Sequence, residues 1–176
     1  ADELILATQC GGSNASSGFT ANAAIGYASD LLVRCGGTPF IAETTETFGA
    51  GHLLTRRART PEIAQAYLDC VADYRRYLER GEGTPENNLA YGNVEGGLST
   101  IAEKALGSVA KGGTTALCWV NNYAERITEK GFGFMNTPAF DPAPFLDPLS
   151  RWGYRDPDTL LLPAPTEPPP HVRVRC

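Results

Sequence analysis

Three short stretches combine residue types that can do chemistry. Thr8-Gln9-Cys10-Gly11-Gly12-Ser13-Asn14 places a thiol beside two glycines and two side chains able to hydrogen-bond hydroxyls. Gly11 and Gly12 allow the backbone to approach a ligand closely, Ser13 and Asn14 can bind its oxygens, and Cys10 can act as ligand or nucleophile. The same residues also describe a tight turn around a buried thiol. The string is neither G-x-G-x-x-G nor a P-loop, so it carries no nucleotide signature. Glu43-Thr44-Thr45-Glu46 ends an apolar run, and His52 follows Glu43 by nine residues in a glycine-flanked stretch. That pair can supply oxygen and nitrogen ligands to a metal, or an acid and a base. Equally, Glu46 can be a helix N-terminal acid and His52 a surface histidine. Arg56, Arg57 and Arg59 form the densest basic cluster, suited to a carboxylate or to solvated helix ends. Asn93 and Lys111 stand beside glycines, where a side chain can be aimed at a ligand. Glu95 and Glu103 can act as acids or bases, with capping the simpler role for Glu103.

These residues need elements to position them. Leu4-Ile5-Leu6-Ala7 is a continuous apolar run before Gly11-Gly12, the pattern of a strand buried on both faces. Ile25, Ala28, Leu32 and Cys35 recur at helical spacing and predict a helix from Thr20 to Arg34 that stops at Gly36-Gly37. Thr38 to Ala42 predicts a second strand. Thr60-Pro61-Glu62 is a helix start: a hydroxyl cap, a proline whose missing N–H is not needed there, and an acid at the positive end of the dipole. Ile63, Tyr67, Val71, Tyr74 and Leu78 mark the buried stripe of that helix, which runs to Gly81. Residues 81–97 read as a polar, glycine-rich loop of the kind that often serves function. Leu98, Ile101, Ala105, Leu106 and Val109 restore helical periodicity, with Thr100 and Glu103 spaced as a capping box. Thr115 to Val120 and Phe132 to Met135 predict two more strands, and the intervening residues 121–130 suit a short helix. The alternation predicts an α/β domain with a mainly parallel sheet.

Composition narrows the function classes. The chain has 176 residues, and 15 basic against 20 acidic side chains give a net charge of −5 without a basic run, so nucleic acid is not an expected partner. No apolar stretch approaches the length of a membrane span and no leader pattern opens the chain, so neither a membrane nor secretion is expected. Five cysteines without a C-x-x-C pair suit a reducing, cytoplasmic setting. Ten of the 13 prolines lie at or beyond Pro138, whereas 18 of the 19 glycines precede it, dividing the chain into 1–137 and an irregular, proline-rich tail over 138–176.

Long ordered strings carry a resemblance. Residues 6–14 (Leu-Ala-Thr-Gln-Cys-Gly-Gly-Ser-Asn), 17–34, 43–46, 52–58, 92–104 (Gly-Asn-Val-Glu-Gly-Gly-Leu-Ser-Thr-Ile-Ala-Glu-Lys) and 107–115 are similar, in order, to the C-terminal catalytic region of the galactarate dehydratase and altronate dehydratase family. The resemblance implies a Rossmann-like three-layer catalytic domain and a metal-dependent hydro-lyase that turns a sugar acid into a deoxy-keto acid. It implies a divalent metal, iron(II) in particular, with Cys10, Glu43 and His52 around it. Gly11, Gly12, Ser13, Asn14, Arg56, Arg57, Asn93 and Lys111 would then contact the sugar acid, with Glu43 and His52 competing as the base. A homo-oligomer or a partner subunit is compatible with that reading. Asn14 stands where the family usually carries Asp, and after residue 142 the chain departs from the family's pattern, an expected loss of part of the sheet and of one wall of the site. A sulfolactate sulfo-lyase-like subunit and a non-catalytic acid-binding remnant are the alternatives.

Overall fold

The computed structural model describes residues 2–10, 12–80 and 83–137. The proline-rich segment 138–176 and the expectations attached to it, like Gly11, lie outside the described residues. Four strands, β1 (Ile5–Thr8), β2 (Thr38–Ile41), β3 (Trp119–Asn121) and β4 (Gly133–Met135), form a sheet in the order β1-β2-β4-β3. Every pairing is parallel, with Ile5 opposite Thr38, Ile41 opposite Phe134 and Val120 opposite Phe134. The helices are α1 (Ala21–Arg34), α2 (His52–Thr55), α3 (Pro61–Arg80), α4 (Tyr91–Glu95) and α5 (Ile101–Val109). The α/β class and its parallel sheet therefore follow the sequence pattern.

Alternation along the strands splits the core between the two sheet faces, because successive side chains of a strand point in opposite directions. Ile41 and Phe134 join Leu54, Tyr67, Cys70, Ala105 and Val109 in one cluster, covered by α2, α3 and α5. Their neighbours Phe40 and Met135 join Trp119 and Ile127 in another. β2 and β4 are the inner strands and are buried throughout. β1 differs from the expected doubly buried strand: Ile5 to Ala7 are half-buried, because β1 is the edge of the sheet.

Three other expectations are corrected by packing. In α1, Ala28 and Cys35 are exposed, and the inward face is Asn22, Ile25, Gly26, Ser29, Asp30 and Leu32. Much of this face meets backbone: the Asn22 amide donates to Gly107 O at 2.8 Å, and the Ser29 hydroxyl donates to Lys111 O at 2.9 Å. Gly26 is obligatory there, since a Cβ would collide with the carbonyl of Ala110. Residues 83–97 are not a plain loop. They hold a 3-10 turn, Pro85–Asn88, begun by Thr84 and proline, and α4, where the Asn93 carbonyl oxygen accepts from Ala90 N at 2.9 Å. Residues 122–130 are not helical. Ala124 has φ 60°, outside the right-handed helical region, and the Glu125 carboxylate closes the turn by accepting from Asn122 N.

The expected α3 is present, with Tyr67, Cys70 and Tyr74 buried and the Thr60 hydroxyl accepting from Ile63 N at 3.4 Å. Thr100 caps α5 by accepting from Glu103 N at 3.1 Å, while the Glu103 carboxylate turns back to Ser99 N rather than to the cap residue itself.

Candidate active site

In an open parallel sheet, ligands bind beyond the carboxyl ends of the strands, where backbone groups leave the ladder unpaired. Three chain segments converge there. The turn after β1 carries Cys10 and Ser13, the 3-10 turn Thr44–Thr47 after β2 is preceded by Glu43, and β4 leads into Asn136 and Thr137. They are bonded to one another. Cys10 N donates to Glu43 Oε2 at 2.7 Å, Glu43 N donates to Thr137 Oγ1 at 2.7 Å, and the Thr44 hydroxyl donates to Asn136 Oδ1 at 2.6 Å.

Glu43 is the centre of this junction. Its backbone is left-handed, at φ 69° and ψ 78°, a conformation that for a residue with a side chain costs about 1–3 kcal/mol and persists only where its surroundings impose it. The bonds from Cys10 N and to Thr137, and that from Glu46 N to Glu43 O at 2.8 Å, impose it here. The side chain is 2% exposed, and Oε1 is buried without a hydrogen-bond partner among the described residues. Burial, and next the nearby charge of Glu46, push the Glu43 carboxyl up to about 8, against the opposing pull of Lys111, Cys10 N–H and Lys104. A carboxyl with one anchored oxygen, one unpartnered oxygen and raised basicity is suited to take up a proton near neutral pH.

A second layer of buried charge lies behind it. Glu46, 1% exposed, pairs with Lys104 of α5, Oε1 to Nζ 3.1 Å. The Lys104 ammonium also donates to Asn88 O at 2.6 Å, Asn88 Oδ1 at 3.0 Å and Asn93 Oδ1 at 3.2 Å. The amide of Asn88 donates to Thr45 O, and that of Asn93 to Ser13 O at 2.9 Å.

The structure distributes the sequence-selected residues unevenly. Cys10, Ser13 and Glu43 come together: the Cys10 thiol and Ser13 hydroxyl are 3.1 Å apart. Gly12 takes φ 142° and is exposed, with nothing near the position of a Cβ. The Asn14 carbonyl oxygen is engaged by Ser16 and Ser17 of its own turn. Asn93 is buried within the network, and Lys111 is buried with its charge acting on Glu43. His52 and Arg56 are exposed on α2 and just after it. Arg57 is turned elsewhere. Its Nη1 donates to the carbonyls of Gly112, Gly113 and Thr115, its guanidinium lies 4.5 Å from the centre of the Phe132 ring, and burial lowers its pKa against the raising effect of Asp30. These bonds fix the loop after Lys111 and give Arg57 a structural role there. Among the described residues, no three His, Cys, Asp or Glu side chains gather as a metal site requires, so Cys10, Glu43 and His52 do not assemble around an ion.

Glu46, Lys104, Asn88 and Thr137 belong to the site and were not selected as functional from sequence. A signal existed for one of them: Lys104, Ser108 and Lys111 are spaced i, i+4 and i+7, a polar stripe on one helical face, and all three are buried.

Comparison with known proteins gives this geometry a context. Residues 1–147 match the family model described as D-galactarate/Altronate dehydratase, C-terminal. The chain is 48% identical over 141 residues to the galactarate dehydratase (L-threo-forming) of Escherichia coli (strain K12), covering 80% of this chain and 27% of that protein. It is 34% identical over 139 residues to the altronate dehydratase of Bacillus subtilis (strain 168), covering 79% and 28%. It is also 35% identical over 138 residues to the (2R)-sulfolactate sulfo-lyase subunit beta of Chromohalobacter salexigens, covering 77% and 36%. The chain thus spans about a quarter to a third of the length of these curated relatives.

Proposed function

We propose, from the premise that this chain belongs to the D-galactarate/altronate dehydratase family through its C-terminal region, that it contributes the proton-accepting part of a site that dehydrates a sugar acid. The observation that carries the proposal is Glu43: a buried carboxyl at the carboxyl ends of the strands, with Oε2 anchored by Cys10 N–H and Oε1 unpartnered among the described residues. The reaction begins at the carbon beside the substrate carboxylate. Glu43 Oε1 takes the proton from that carbon, the C–H electron pair forms the carbon–carbon double bond, and the hydroxyl on the next carbon leaves as hydroxide, which takes a proton from the solvent to become water. The resulting enol tautomerises to the deoxy-keto acid.

The raised basicity of Glu43 suits removal of a weakly acidic proton, and the charge of the buried Lys111 favours the ionised carboxylate from which the step starts. His52, exposed on α2, is the weaker candidate for the base. In this reading Ser13 and the exposed Asn14 would bind substrate hydroxyls at the turn after β1. The divalent metal, iron(II), stands as a separate proposal with Cys10 and Glu43 as its two neighbouring donors. No step above depends on it, because the described residues do not complete its site. No helix among the described residues is long and apolar enough to cross a membrane, and a cytoplasmic site of action with a small-molecule substrate is proposed on the family's chemistry.

The test is anaerobic incubation of the chain with galactarate or altronate, with and without iron(II), assayed for deoxy-keto acid. Product that disappears in Glu43→Gln supports the proposal, whereas no product across a panel of sugar acids overturns it. A sulfolactate arm, assayed for sulfite, separates the sulfo-lyase reading suggested by the third relative, since both reactions begin with the same proton removal.

A further inference from the structure

We propose that Lys104 is a positioning residue of this site: its ammonium ties the turn after β1 to the turn after β2 and holds the Ser13–Asn14 turn against Glu43. The proposal rests on Glu43 being the reacting group, but its geometry stands apart from that reading. An ammonium has three protons, and the Lys104 Nζ has four oxygens around it, Glu46 Oε1, Asn88 O, Asn88 Oδ1 and Asn93 Oδ1, at 2.6 to 3.2 Å. With 5% exposure and every proton committed, it has nothing left to offer a substrate.

Its partners come from separate pieces of chain. Glu46 belongs to the turn after β2, Asn88 to the 3-10 turn Pro85–Asn88, and Asn93 to α4, while Lys104 itself lies on α5. Each asparagine passes the restraint on: Asn88 donates to Thr45 O, in the turn that follows Glu43, and Asn93 donates to Ser13 O, in the turn that follows Cys10. Ala15 N donates to Gly96 O at 2.9 Å and adds a second tie between that turn and the end of α4. The ammonium is therefore the common node of two arms that end on either side of the Cys10–Glu43 contact. The charged groups acting on Glu43 are Glu46, Lys111 and Lys104. Lys104 neutralises the first of them, so charge balance and tethering have to be separated in any test.

The experiment is hydrogen exchange on the whole chain, comparing the unaltered protein with Lys104→Met paired with Glu46→Gln, and with Asn93→Asp. The double variant removes both charges at nearly constant volume, so a residue that only balanced charge would leave the turn unchanged. Asn93→Asp keeps an oxygen for Lys104 and for Ala90 N–H but deletes the donor to Ser13 O, and it keeps the test decisive if the double variant fails to fold. The expected result is exchange at least tenfold faster over residues 12–17 in both variants, with the amides of α3 unchanged. Turnover adds a second reading: KM for the sugar acid rises about tenfold in the double variant. Unchanged exchange over 12–17, or an unchanged KM beside a loosened turn, overturns the proposal. If the unaltered chain shows no turnover, the dehydratase reading fails while the exchange data still decide the role of Lys104.

Discussion

Asp30 and Glu43 are both carboxylates held inside the protein near crossovers of the parallel sheet, yet their surroundings treat them in opposite ways. Around Asp30, burial works to raise the pKa but is outweighed by bonds from Thr114 N, the Thr114 hydroxyl and Thr115 N, and by the charge of Arg57. Its pKa ends below the ordinary value. Around Glu43, among the described residues, the carboxylate accepts a hydrogen bond from Cys10 N alone, the next carboxylate is close, and burial wins. Its pKa ends near 8. A buried charge given enough donors is a fastening, whereas one left short of them is a group prepared to exchange a proton. Arg57 belongs with Asp30 on this division, and together they fix the 112–115 loop that follows Lys111.

The comparison can be broken most severely at Asp30. Asp30→Ala strips Thr114 N, the Thr114 hydroxyl and Thr115 N of their acceptor, with an expected loss of about 2–3 kcal/mol in urea unfolding. A loss below about 1 kcal/mol would show that the donors around Asp30 contribute no fastening.

Glu43 is expected to behave in the reverse sense. Its carboxyl binds a proton more tightly in the folded chain than in the unfolded one, so its contribution to stability is fully present below about 4.5 and is lost as pH rises to about 8. The loss amounts to about 1.4 kcal/mol per pH unit within that window. Glu43→Gln, which stays neutral, should remove this slope and be more stable than the unaltered chain at pH 8. Unfolding curves measured from pH 5 to pH 9 check the sign, and an unchanged slope would remove Glu43 from its side of the comparison.

Two smaller changes sharpen it. Thr100→Ala deletes the α5 cap that orients Lys104, with an expected cost of about 1 kcal/mol in thermal unfolding. His52→Ala, at an exposed position, should change stability by less than about 0.5 kcal/mol and leave the pH dependence assigned to Glu43 intact. A His52 variant that abolished that pH dependence would return the base assignment to His52.

Much of this architecture is legible in the residues themselves. Thr60-Pro61-Glu62 announces α3, and the apolar runs ending at Ala42 and Met135 announce the strands that place Glu43 and Thr137. Glu43 was reachable because a carboxylate at the end of such a strand falls where parallel sheets bind ligands. The orientation of α1 was not, because its inward face packs on carbonyls and so prefers Asn22, Gly26 and Ser29 to apolar side chains. Periodicity finds a stripe only when burial is apolar. For the same reason the helical period does not mark Lys104, whose partners Glu46, Asn88 and Asn93 come from other segments of the chain. The bonds of Arg57 are hidden for a related cause: a cluster of arginines shows charge but not its partner, and Arg57 donates to backbone carbonyls from 55 to 58 positions away.

The central claim is that Glu43 is a buried carboxyl kept short of donors at the carboxyl ends of the strands. The most direct measurement is a carbon-13 NMR titration of its side-chain carboxyl in the whole chain, assigned with Glu43→Gln. A midpoint near 8 is the expected result, and a midpoint at or below the ordinary 4.5 would contradict the account.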